Sequence, residues 1–138
     1  MSGNFTNLLA NDLINHTLGV AAYTAPTTYL ALSSTTPLVN GTGVTEPTIG
    51  TNGYARVAAS GSGVWNSASG GATSNLAVIN FNTATGSWAS GVNMTYACIY
   101  DAPTGGNFLG FAPLSVPQPV LTGNTLSIPI GGATVTLS

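Results

Sequence analysis

The C-terminal stretch Asn124-Thr-Leu-Ser-Ile-Pro-Ile-Gly-Gly-Ala-Thr-Val-Thr-Leu-Ser138 carries a strand signature that a helix would not tolerate. Apolar and polar residues alternate with period two on both sides of Gly131-Gly132, and consecutive glycines suit a two-residue hairpin turn. The reading predicts a hairpin that pairs Ile130 with Ala133, Ile128 with Val135 and Leu126 with Leu137. These six would form a core face, leaving Ser127, Pro129, Thr134 and Thr136 on the other face as solvent or contact surface. Pro129 cannot donate to a ladder, so its strand should be an edge or turn that residue outward.

Upstream, from about residue 28, short runs rich in Val, Ile, Thr and aromatics alternate with Gly, Pro, Asn and Ser clusters. This is the pattern of an all-β sandwich or barrel. Further strands are expected in TYLALSS (28–34), YARVAAS (54–60), LAVINF (76–81), VNMTYACIY (92–100) and NFLGFAPL (107–114). Long loops are expected at 35–53 and 60–75. The N-terminal segment differs, since Phe5, Leu8, Leu9, Leu13 and Ile14 repeat at helical spacing and predict a helix over about 5–18. Asn4 or Thr6 would cap its start, and Gly19 would lie just past its end. The expectation is one domain over 1–138: a mainly β, antiparallel, jelly-roll-like β-sandwich with one N-terminal α-helix.

Composition excludes several functions. Among 138 residues there are one Lys or Arg (Arg56), three acids (Asp12, Glu46, Asp101), one His and one Cys, for a net charge of −2. One cation cannot neutralise a run of phosphates, so nucleic acid is not an expected partner. No 18-residue apolar run is present, so no membrane span is expected. The lone Cys98 has no disulfide partner and reads as a small buried hydrophobe. Catalysis by acid–base chemistry needs paired titratable groups, and a zinc site needs about four ligands. Asp12 and His16 share a helix face without a third group, and read as a surface contact. No catalytic, cofactor or metal residues are therefore assigned, and no enzyme is expected.

The remaining candidates are structural. Arg56 is expected to bond Glu46, Asp101 or loop carbonyls and pin the long loop to the sheet, since its planar fork has five donors. The alternative is an interface anchor. Trp65 and Trp88 are expected to close the end of the core, with sugar stacking as the rival.

Five landmarks occur in order: TAPTTYLALSSTTP, GYARV, INFNTATGSWASGV, IYDAPTGGNFLGFAPLSVPQPV and GNTLSIPIGGATVTLS. Together they resemble a family of small tailed-phage virion proteins often labelled phage tail fibre protein. Related small β-sandwiches serve as capsid decoration, or cement, proteins. The family's charged residues near SVPQPV are replaced here by Gln118, so no salt bridge is carried over there. The resemblance implies a virion protein without catalytic residues. Two placements compete. A head-surface decoration protein, binding the major capsid protein as a homotrimer, is favoured because the chain shows no shaft or repeat. A tail fibre or tail-tip component, bound to other tail proteins, is the alternative, and a carbohydrate-binding module the remote one. Attachment is expected to rest on apolar and hydroxyl contacts and to depend little on salt.

Overall fold

A computed structural model describes residues 3–137. The elements are β1 (Gly3–Phe5), α1 (Asn7–Thr17), β2 (Tyr29–Ser33), β3 (Val57–Ala58), β4 (Ala72–Ser74), β5 (Ile79–Asn80), a 3₁₀ turn (Trp88–Gly91), β6 (Met94–Tyr100), β7 (Phe108–Gln118), β8 (Ser127–Ile128) and β9 (Thr134–Thr136). Seven strands form one sheet in the order β3-β2-β6-β7-β1-β9-β4, and β5 and β8 form a second, small sheet. The architecture is mainly β and sandwich-like. Leu30, Leu32, Ala97, Ala112 and Val135 of the large sheet share one core with Ile79, Phe81, Leu126 and Ile128 from the small-sheet side.

The pairings are antiparallel with one exception: β1 runs parallel to β9, with Gly3 opposite Val135 and Asn4 opposite Thr136. On its other side β1 is antiparallel to β7. This strand was not expected. Its three residues run directly into the helical pattern, so a period-two signal had no room to show. The helix accordingly starts at Asn7 and not near Phe5. Thr6 occupies the position before the helix, but its hydroxyl donates to the carbonyls of Phe108 and Leu109 and so ties the helix start to β7. At the other end Gly19 has φ of 74°, the left-handed conformation expected past a helix. Leu9 and Leu13 face the core, whereas Leu8 and Ile14, expected on the same stripe, are exposed.

The C-terminal hairpin does not form. β8 belongs to the small sheet, with Ile79 opposite Ile128, while β9 pairs with β4 and β1 in the large one. The chain reverses through a turn in which Gly132 donates to the Pro129 carbonyl at 2.8 Å. Of its two glycines Gly131 alone has a positive φ, 75°. With its left-handed residue third of the four from Pro129 to Gly132, as in a type II turn, the reversal splays the flanking strands instead of matching their twist. Asn75 then occupies the gap. Its Oδ1 accepts from the Ala133 N–H at 2.9 Å, and its Nδ2 donates to the carbonyls of Pro129 (2.8 Å) and Ala77 (2.9 Å). The backbone of Asn75 also bonds Ala133 and Gly131. The predicted faces hold in part: Leu126, Ile128, Ala133 and Val135 are buried, but Ile130 is 66% and Leu137 48% exposed.

The loop over 35–53 has no strand, as expected, whereas the 60–75 stretch contains β4. Hydroxyls organise the first loop in place of charges. Ser33 Oγ donates to the Thr35 carbonyl and accepts from the N–H groups of Thr35 and Thr45, and Thr35 Oγ1 donates to Thr45 Oγ1 at 2.8 Å. Among the described residues no buried side-chain nitrogen or oxygen lacks a partner.

Candidate functional site

Arg56 lies one residue before β3, beneath the loop that carries Glu46. Its Nε donates to Glu46 Oε1 and its Nη2 to Glu46 Oε2, each at 2.9 Å. Nη1 donates to the carbonyls of Ala102 (2.9 Å) and Gly105 (2.8 Å), and the guanidinium sits 3.7 Å from the Tyr100 ring centre. The two side chains of the ion pair are 5% and 16% exposed. The fork therefore joins three segments: the 35–53 loop, the β6–β7 connection and the edge of the sheet. Tyr54 completes the group, donating to Glu46 Oε1 at 2.8 Å and accepting from the Leu32 N–H at 3.0 Å. Burial, and then the Glu46 carboxylate, push the Tyr54 phenol well above its ordinary value.

Asp101 is not part of this clamp. Its carboxylate accepts from the Asn107 N–H at 2.7 Å and from Asn107 Nδ2 at 2.8 Å. These bonds, the backbone one first, hold it below the usual carboxylate range, with Arg56 adding a smaller pull. Asp12 and His16 share no bond; the His16 ring instead accepts from the Tyr23 N–H at 3.0 Å. Cys98 is buried, and burial pushes its thiol well above the ordinary range. Among the described residues there is no group of three or more His, Cys, Asp or Glu able to hold a metal, and no helix is long and apolar enough to cross a membrane.

The two tryptophans have different places. Trp88 is 2% exposed, packs edge-to-face on Tyr54 at 5.0 Å, and donates its indole N–H to the Asn52 carbonyl. A ring so enclosed cannot stack on a sugar. Trp65 donates to the Ala59 carbonyl and is partly buried, forming part of an apolar cleft between α1 and the large sheet. Ser127, Thr134 and Thr136, expected on one face, are divided. Ser127 bonds Asn80 in the small sheet, whereas Thr134 and Thr136 belong to β9 in the large sheet. That division follows from the missing hairpin. Asn75 and Tyr54 are the residues that sequence reasoning missed; a lone Asn ahead of LAVINF gave no signal, because its partners lie far along the chain.

The fold and its contacts define a β-rich domain whose one arginine is bonded to Glu46 and to two loop carbonyls. The model of the family described as Podophage GP4 fiber I protein gp80 matches residues 4–136, and the chain belongs to that family. It is thus a bacteriophage structural protein of the fibre type and a component of the virion. No curated protein matches it.

Proposed function

We propose that this chain is a tail-fibre component that works by shape and contact, bound to copies of itself and to neighbouring tail proteins, and that it catalyses no reaction. The family match over residues 4–136 carries this reading, because the family is described as a fibre protein. It favours the tail over head-shell decoration. The interior adds support: the one cation is committed to Glu46 and two loop carbonyls. What the protein offers a partner is therefore mainly apolar and hydroxyl surface, with exposed Leu18, Val20, Val116 and Ile130 among it. Repeated weak contacts of this kind hold an assembled particle by multivalency.

Electron microscopy of particles labelled with an antibody to this chain tests the placement. Label on the tail is expected, and label over the head faces would restore the decoration reading. Particles washed in several-fold raised salt should retain the protein, since apolar contacts are not screened. Chemical cross-linking on intact particles tests self-association, with a trimeric product expected.

A further inference from the structure

The two acids outside the Arg56–Glu46 pair each lie within two residues of the wall of one cleft. Arg56 and Glu46 neutralise each other inside the fold, which leaves Asp12 and Asp101 to supply the net charge of −2. A cleft of about 270 Å³ opens between α1, the connector after it and the large sheet, walled by Phe5, Leu9, Leu13, Tyr23, Trp65 and Val135 among others. Asp12 directly precedes Leu13 of this wall on α1, and Asp101 lies two residues beyond Ile99, which also lines the cleft, just past the end of β6. Burial first, and then the carboxylates of Asp12 and Asp101, push the hydroxyl of Tyr23 in this wall above its ordinary value.

We propose that the cleft receives an apolar side chain flanked by Lys or Arg, presented by a different protein. A buried apolar anchor beside aromatic walls is the usual form of a binding hot spot, and Tyr23 and Trp65 offer ring faces to a nearby cation. A second copy of this chain does not match, because it has no lysine and its single arginine is paired with Glu46. A sugar is a poor fit as well. The Trp65 indole and the Thr28 hydroxyl are both spent on the Ala59 carbonyl, and the Thr73 hydroxyl on that of Asn66. With those donors committed and the wall mostly apolar, sugar hydroxyls placed there would recover few of the hydrogen bonds they make to water. The inference deepens the proposed function and rests on it only for taking the partner to be a neighbouring virion protein.

The purified full chain, titrated with acetyl-Lys-Phe-Lys-amide and acetyl-Glu-Phe-Glu-amide and followed by NMR, tests this. The lysine peptide should shift the Trp65 indole and Tyr23 resonances and bind about fivefold more tightly at low salt, a margin that raised salt shrinks. Asp12→Asn, an isosteric change on the helix surface, should remove about half of that margin, and Leu13→Trp, which fills the cleft, should abolish binding of both peptides. The proposal is overturned by equal affinity for the two peptides, by a margin that Asp12→Asn leaves intact, by shifts centred away from the cleft, or by no binding of either up to about 10 mM. Antibody label on the head would overturn the tail placement and leave the peptide result standing. Loss of the peptide preference would do the reverse.

Discussion

Replacing Arg56 by Met keeps most of the aliphatic stem and deletes the guanidinium. Four hydrogen bonds go with it, two to Glu46 and one each to Ala102 and Gly105, together with the stack on Tyr100. The larger effect falls on what remains. Glu46, 16% exposed, keeps its charge with the Tyr54 hydroxyl as its one remaining hydrogen bond of those described above. Stranding one partner of a buried pair costs about 3–5 kcal/mol, and the partial access of Glu46 to water argues for the lower end, about 3 kcal/mol. For a domain of this size that lowers Tm by roughly 10–15 °C. Urea unfolding followed by tryptophan fluorescence, with calorimetry alongside, measures both quantities. Adding Glu46→Gln to Arg56→Met removes the stranded charge and should recover about half the loss, since residues in direct contact are coupled. A cost for Arg56→Met below about 1 kcal/mol, the range of exposed ion pairs, would refute the view that this pair clamps the interior. A double variant no more stable than Arg56→Met alone would refute it as well.

Asn75→Ala should cost about 2–3 kcal/mol by urea unfolding, because it strands the Ala133 N–H and the Ala77 carbonyl and leaves the Pro129 carbonyl only its bond from Gly132, where the chain crosses between sheets. Alkaline stability follows from Tyr54, whose folded-state value lies above its unfolded value of 10.0. Its contribution is complete below pH 10 and is lost as pH rises beyond that, so the urea midpoint should fall there, and less steeply in Tyr54→Phe. Asp101 has the opposite sign. Its folded value is depressed, so its contribution is present above 3.8 and lost on acidification, and Asp101→Asn should flatten the acid limb of the stability curve. Gly3→Ala should detach β1, since the added methyl would collide with the Phe111 carbonyl; hydrogen exchange along β1 and β9 would report it as lost protection.

Much of the fold could be read from periodicity, and the failures share a cause. The central strands β2, β6 and β7 are long and rich in β-branched, aromatic and other apolar residues, so their pattern stood out. β1 and β4 went unseen because no alternating run surrounds their three residues, whereas β3, β5, β8 and β9, just as short, lie inside longer apolar stretches. At Gly131-Gly132 the reversal itself was legible, but which glycine would turn left-handed was not. That choice depends on Asn75 taking the bonds a hairpin partner would have made. The clamp was half legible: a lone arginine must find an anion or carbonyls, yet three acids were available. The approach of the 35–53 loop, fixed by Ser33 and Thr35 hydroxyls, selected Glu46 over Asp101. The surfaces were the least legible, since a misplaced β8 moves Ser127 to another sheet from Thr134 and Thr136.

In the strand order β3-β2-β6-β7-β1-β9-β4, β1 is the strand joining β7 to β9. β1 therefore waits for β9, made long after it, before the sheet can close. A nascent chain holding β2, β6 and β7 can build that half of the sheet, yet β1 keeps an unmatched edge until β9 arrives. Closure thus couples segments far apart in sequence. The sheet should close only once β9 has been made, and a translation stall near residue 130 should leave it open to proteases that the closed sheet resists.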